Sequence, residues 1–176
     1  MKIREEWGAS PWLFKMFTAI AAIDNKNAIG KDGGLLAHIK EDMAHFRSTT
    51  LSHTVVMGRK TLESFPNKRP LPKRRNIVLS RNISSVEGAE VVKSVDELLS
   101  LLGDEQYVFV IGGGEIYSLL MPYCSTLILT EIDADLGGDV FFPKFDKSEW
   151  RATVLSPEKE ENGLRFKIVR YDKIIR

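Results

Sequence analysis

Apolar residues in this chain gather in short, nearly unbroken runs divided by turn chemistry, the pattern of strands buried within a sheet. Met16 to Ile23, Thr54 to Met57, Asn76 to Leu79, Ala89 to Val92, Tyr107 to Ile111 and Ser125 to Ile132 are such runs. Helical segments lie between them. The stretch Lys40 to Leu51 places Ile39, Met43 and Phe46 on one face at i, i+4 and i+7. A short helix follows Gly58 and ends near Phe65, Ser94-Val95-Asp96-Glu97 opens another as a capping box, and Glu115 to Met121 forms one that Pro122 stops. Trp150 to Leu155 and Leu164 to Tyr171 are strands that favour a closing hairpin through Glu161-Asn162-Gly163. The expected fold is α/β in one domain: a mostly parallel central sheet of about eight strands, an antiparallel C-terminal hairpin and about four flanking helices.

One polar residue interrupts the helical pattern. Asp42 lies on the same face as Ile39 and Phe46. A carboxylate on an apolar face reaches water at the edge, meets a cation, or meets a ligand that donates hydrogen bonds. The Ile29-Gly30-Lys31-Asp32-Gly33-Gly34 segment reads as a flexible loop, either functional or simply solvated.

Two places suit an anion. Gly58-Arg59-Lys60-Thr61 is a strand, a glycine and a helix start bearing cations and a hydroxyl. The stronger signal is Tyr107 to Ile111 running into Gly112-Gly113-Gly114 and then a helix, where adjacent glycines let the backbone approach a pyrophosphate. It lacks the G-x-G-x-x-G spacing, so an ordinary Rossmann site is not expected. Ser80-Arg81 sits just past a strand end, where ligands of α/β sheets gather. Pro66 to Arg75 is a stiff basic loop, usually a solvated charge run, in which one arginine could clamp a carboxylate.

Composition narrows the field. The 176 residues and 43% hydrophobic content suit one domain with a real core. A net charge of +1 argues against nucleic acid as the main partner. The single Cys124 is expected as a small core residue in a reducing compartment, and no metal site is expected. No apolar run reaches membrane-spanning length. Lys2 and Arg4 ahead of MFTAIAAI imitate a secretory leader, but Glu5, Glu6 and Lys15 break that pattern, so the cytoplasm is expected. Residues 1–15 read as an N-terminal extension and 16–176 as the domain. Trp7, Trp12 and Phe14 make the extension too aromatic for a plain solvated tail, and whether it docks on the body stays open.

The segments IAAIDNKNAIGKDGGL, EDMAHFR, VVMGRKTLESF, RPLPKRRNIVLSR, VIGGGEIY and LTEIDADLGGDVFFP, in this order, resemble the dihydrofolate reductase family over about residues 16–172. The resemblance implies an enzyme that passes a hydride from NADPH to C6 of 7,8-dihydrofolate. It implies that Asp42 holds the pterin 2-amino group and N3, supported by Thr130. Ile20, Ala22 and Ile111 match positions bordering the pterin, the two isoleucines acting through their backbone carbonyls, and Met43, Phe46, Phe65 and Leu71 match the apolar walls around pterin and aminobenzoyl. Arg74 matches the arginine for the glutamate α-carboxylate. Arg59, Lys60, Thr61, Leu79, Ser80, Arg81 and Lys93 match the adenine-side and 2′-phosphate contacts of NADPH/NADP+. Gly112, Gly113, Gly114, Glu115, Ile116 and Tyr117 match the turn and helix over the pyrophosphate, with Gly112-Gly113 a cis peptide. Ala22, Ile29, Gly30 and Leu35 match the nicotinamide side, Gly30 to Leu35 being the family's mobile loop.

Leu36 and Ala37 depart from the family's Pro-Trp, which bears on the proton path and on loop closure; Trp12 filling the space at Ala37 is an alternative. Glu115, His38 and His45 are expected to face outward. With no acid placed at N5, water is the expected proton donor and Asp42 the orienting, polarising group. Arg59, Lys60 and Arg81 imply a preference for NADPH over NADH. The enzyme is expected as a monomer acting on the small molecule dihydrofolate. Two other readings stand beside it: a pyrimidine reductase of riboflavin synthesis, and a pterin- or nucleotide-binding module without catalysis.

Overall fold

The computed structural model describes residues 17–174. The readings made for residues 1–15, including Trp12 beside Ala37, lie outside these residues. In chain order the elements are β1 (Phe17–Ile23), β2 (Ala28–Lys31), β3 (Gly34–Leu35), α1 (Lys40–Thr50), β4 (Thr54–Gly58), α2 (Arg59–Glu63), β5 (Arg75–Leu79), β6 (Glu90–Val92), α3 (Val95–Leu102), β7 (Val108–Gly112), α4 (Gly114–Leu120), β8 (Cys124–Ile132), β9 (Val140–Phe141), β10 (Trp150–Glu161) and β11 (Leu164–Lys173).

Eight strands form one sheet in the order β10-β11-β8-β1-β7-β4-β5-β6. Its strands pair in parallel from β8 through β6. The hairpin β10–β11 adds the antiparallel edge against β8. This is the mostly parallel sheet with a terminal hairpin that the apolar runs predict, flanked by four helices. The hairpin closes at Glu161↔Leu164, with Asn162 and Gly163 both at positive φ (54° and 77°), the two-residue turn that Asn-Gly favours.

The pleat sorts the core into two faces. On β1 and β8, Phe17, Ala19, Leu127 and Leu129 point to one side, where they pack with Leu98, Leu99 and Leu102 of α3 and Ile116, Tyr117 and Leu120 of α4. Ile20, Ile128, Val55, Met57 and Ile111 point to the other, covered by Phe46 of α1 and Leu62 of α2. Thr130, two residues beyond Ile128, belongs to this second face.

Some local readings change. The Gly-rich segment after Asn27 is not an irregular loop. Gly30 pairs with Leu35 and Lys31 with Gly34 around Asp32 and Gly33, both at positive φ, and β9 completes a small sheet β3-β2-β9. The face of α1 is narrower than its spacing predicts. Ile39 is 2% exposed and Phe46 half-buried, whereas Met43 is 53% exposed. The capping box of α3 is offset: Ser94 Oγ accepts from Glu97 N at 3.1 Å, but the Glu97 carboxylate reaches back to Lys93 N at 2.8 Å. β10 runs beyond Leu155 to Glu161 by taking up irregularities around Ser156 and Pro157, as an edge strand permits. Cys124 is buried as expected, and burial pushes its thiol up to about 12. Among the described residues no helix is long and apolar enough to cross a membrane.

Candidate active site

α1 begins beside the second face of the sheet. Ile39 anchors it, packed with Ile132 and Phe166. Asp42 follows in the first turn and is half-buried. Thr130 Oγ1 donates a hydrogen bond to Asp42 Oδ1. Burial raises the Asp42 pKa above the ordinary carboxylate value; the Thr130 hydroxyl and the nearby His45 oppose that rise without cancelling it. A solvated carboxylate at the helix edge, the plain alternative for this residue, does not describe this environment.

His38 is exposed, as expected, but His45 does not face outward. It is half-buried one turn from Asp42. Its Nδ1 lies 3.5 Å from Thr49 Oγ1, and its Nε2 is buried without a hydrogen-bond partner among the described residues. Burial lowers its pKa, partly offset by Asp42, so the ring is neutral at neutral pH.

Apolar side chains stand around this acid. Ala22 sits opposite Thr130 in the β1–β8 register, and Ile20 opposite Ile128. Ile20 and Ile111 are buried, with Phe46, Phe65 and Leu71 packed against the same cluster; Met43 stands open to solvent. The carbonyl of Ile20 accepts a hydrogen bond from Tyr117 Oη at 2.6 Å. Tyr117 is therefore an internal strut between α4 and β1, buried against Phe142.

The basic loop is sorted by partners. Arg75 pairs with Glu90 and Glu105 on the outer side. Arg74 turns the other way, donating from Nε to Pro72 O at 2.9 Å and from Nη1 to Thr50 Oγ1 at 3.1 Å, which ties it to the end of α1.

The strand ends form a row. Gly58 lies opposite Leu79, Leu79 opposite Val92, and Met57 opposite Gly112. The residues that follow these strands, Arg59 to Thr61, Ser80 with Arg81, Lys93, and Gly113 with Gly114, therefore line one carboxyl edge of the sheet. Gly112-Gly113 is a cis peptide. A Cβ on Gly112 would meet Thr61 Oγ1 at 3.3 Å, and one on Gly113 would meet it at 3.6 Å, so the starts of α2 and α4 lie side by side. Neither helix has a side-chain cap, which leaves the first-turn N–H groups of both without a side-chain acceptor.

The expected cofactor residues differ in their surroundings. Arg59 makes an i,i+4 ion pair with Glu63 at 3.0 Å, whereas Lys60 and Arg81 are exposed and make no ion pair among the described residues. Glu115 is exposed, as expected. Ile116 is buried against Gly58, where a Cβ would meet its Cγ1 at 2.9 Å. Leu79 is buried and Ser80 half-buried. Ile29, Gly30 and Leu35 belong to the small sheet, and Leu35 is exposed. Ala37 packs with Ile39, Ile132 and Phe166.

Three residues outside the expected set organise it. Asp24 Oδ1 accepts from Lys26 N and Ala28 N, and its Oδ2 from Leu136 N, each at 2.9 Å, which folds the chain back into β2. Buried Asn76 bonds Leu71 N, Leu71 O and Arg74 O, each at 2.9 Å, and so shapes the basic loop. Glu161 accepts from the first amides of α1. Asn76 and Glu161 carried no sequence signal for these contacts.

A family model described as "Dihydrofolate reductase" matches residues 16–173. The chain is 38% identical over 161 residues to a dihydrofolate reductase of Bacillus subtilis, covering 90% of this chain and 95% of that one. It is 44% identical over 156 residues to a dihydrofolate reductase type 3 of Salmonella typhimurium (86% and 95% covered). With a dihydrofolate reductase of Mycobacterium tuberculosis the identity is 40% over 163 residues (90% and 98% covered). With a half-buried acid beside Thr130, a glycine turn at the carboxyl edge and these relatives, the chain belongs to the dihydrofolate reductase family and is an enzyme of that kind.

Proposed function

We propose that the protein reduces 7,8-dihydrofolate to 5,6,7,8-tetrahydrofolate with NADPH, and that Asp42 is the residue that grips the pterin. The observation that carries this reading is the Asp42–Thr130 pair, an anion held among apolar side chains. Such a group is satisfied by a ligand edge that offers two N–H donors, as the 2-amino group and N3 of a pterin do. Thr130 takes one acceptor site of Oδ1, which leaves the rest of Oδ1 and all of Oδ2 for the two ligand donors. The flat ring stacks among Ile20, Ala22, Met43, Phe46 and Ile111, with Phe65 and Leu71 along the aminobenzoyl portion. Arg74, preset by Pro72 and Thr50, takes the glutamate α-carboxylate.

The strand-end row fits a dinucleotide. The paired starts of α2 and α4 offer N–H donors and the Thr61 hydroxyl to a pyrophosphate. Lys60, Arg81 and Ser80 offer charge and a hydroxyl to a 2′-phosphate, with Arg59 and Lys93 adding positive potential, which supports NADPH over NADH. Bound along this row, NADPH would supply the hydride for the reduction. The chain's own part is to hold the pterin flat, exclude water from its face and polarise the ring through Asp42. The proton reaches N5 from water: His45 is neutral at neutral pH and Asp42 is engaged at the opposite edge of the ring. The catalytic domain is residues 16–176, with 1–15 as an extension, a division supported by the matched span.

The experiment is loss of NADPH absorbance on adding dihydrofolate, with and without methotrexate. Methotrexate-sensitive oxidation supports the proposal. Oxidation only with the pyrimidine substrate of riboflavin synthesis, or methotrexate binding without turnover, would replace it.

A further inference from the structure

The helix that carries Asp42 is capped from the opposite end of the chain. Ile39, its N-cap residue, offers no side-chain acceptor. Lys40 N instead donates to Glu161 Oε2 at 2.6 Å and Glu41 N to Glu161 Oε1 at 3.2 Å, across 121 and 120 positions of sequence. One carboxylate thus satisfies two of the amides that a helix start leaves unpaired, and its charge suits the helix dipole. Lys159 Nζ, from the same hairpin, pairs with the Glu41 carboxylate, so the grip has two sides. Asp42 is the next residue along.

The same hairpin also holds the partner of Asp42. β11 pairs with β8, and Ile168 lies opposite Thr130. At the other end of β11, Asn162 and Gly163 turn the chain so that Glu161 stands opposite Leu164. A single β-hairpin therefore fixes Thr130 through strand register and the first turn of α1 through Glu161. The hairpin thus reaches both sides of the Asp42–Thr130 pair, beside β1, which also pairs with β8, and Ile39, which anchors α1.

We propose that Glu161 is a positioning residue for the reaction, holding Asp42 at the place where it meets the pterin. Its carboxylate is taken up by the α1 amides, away from the cofactor row, so its influence falls on the pterin site and spares the cofactor site. The inference rests on the reading of Asp42 as the pterin-binding acid.

The test uses the full chain with Glu161→Ala, Glu161→Gln and, as a control on the exposed neighbour, Glu160→Ala. KM and kcat for dihydrofolate, Kd for NADPH, and amide hydrogen exchange over residues 40–43 are measured. Glu161→Ala should raise the dihydrofolate KM about tenfold, since small misplacements of a gripping group are costly. It should also speed exchange at Lys40 and Glu41 while leaving the NADPH Kd within about twofold. Glu161→Gln, which keeps an acceptor, should recover most of the KM, and Glu160→Ala should match the wild type. If Glu161→Ala fails to fold, Glu161→Asp, one methylene short of the amides, is measured in the same way. Faster exchange with an unchanged dihydrofolate KM would reduce the contact to a structural cap and overturn the proposal. Parallel losses in dihydrofolate KM and NADPH Kd would overturn it as general loosening. Failure of the functional reading is separate, because it shows as a wild type that does not oxidise NADPH with dihydrofolate.

Discussion

Thr130 Oγ1 donates to Asp42 Oδ1 across 88 positions of sequence, joining the second face of β8 to the first turn of α1. The hydroxyl stabilises the charged form of an acid that burial otherwise disfavours. Thr130→Val keeps the shape and removes the donor. It should cost about 1–3 kcal/mol of stability at neutral pH, since the carboxylate oxygen is left without its partner. The Asp42 pKa should rise further. Urea unfolding at neutral pH and the pH profile of kcat/KM check both effects; an unchanged profile would detach Thr130 from the acid.

The raised Asp42 pKa makes the acid a stability liability at neutral pH. Below the ordinary aspartate value of 3.8 the group is protonated in folded and unfolded chains alike, and there is no penalty. As pH rises from that value through the higher folded pKa, the unfolded chain ionises first and native stability is lost. Asp42→Asn should therefore melt higher than the wild type at pH 7, with the gap closing on acidification to the ordinary aspartate range. Calorimetry across that span tests the sign; a variant that melts lower at pH 7 would contradict it.

Asn76 holds both ends of the loop that presents Leu71 and Arg74. Asn76→Ala removes three hydrogen bonds at a buried site and should destabilise the protein by about 2–4 kcal/mol. KM for dihydrofolate should rise more than KM for a substrate analogue lacking the glutamate, because Arg74 is the group displaced. Equal rises for the two would remove Arg74 from the glutamate site.

Arg81 follows β5 at the carboxyl edge and is exposed. Arg81→Ala should lower kcat/KM for NADPH about tenfold or more, the scale of one charge-assisted phosphate contact. The value for NADH should stay nearly unchanged. Comparison of the two cofactors in wild type and variant decides it, and a wild type that uses both equally would dismiss the 2′-phosphate assignment.

The eight main strands, the four helices and the Asn-Gly hairpin are legible in sequence because each rests on a local apolar run or a turn signal. The small sheet is not. β3 and β9 have two residues each, too few to show a period; Asp32-Gly33 turns the chain back to form β3, and β9 joins β2 from far along the chain. Met43 matched the apolar face by spacing, but only Ile39 and Phe46 of that face pack into the core and Met43 stays open. His45 looked like a surface histidine; its burial depends on how α1 packs, which its neighbours in sequence do not encode. Asp42 was legible as an anomaly, an acid among apolar positions. Its partner Thr130 was legible only through the family resemblance, and Glu161 not at all, since bonds from a side chain to a backbone 120 positions away leave no local pattern.

The most direct measurement sets NADPH binding beside steady-state turnover for the wild type and Asp42→Asn at neutral pH. NADPH should bind both proteins alike, and dihydrofolate reduction by the variant should fall at least about a hundredfold, the scale of acid–base assistance. Near-normal turnover by Asp42→Asn would contradict the account.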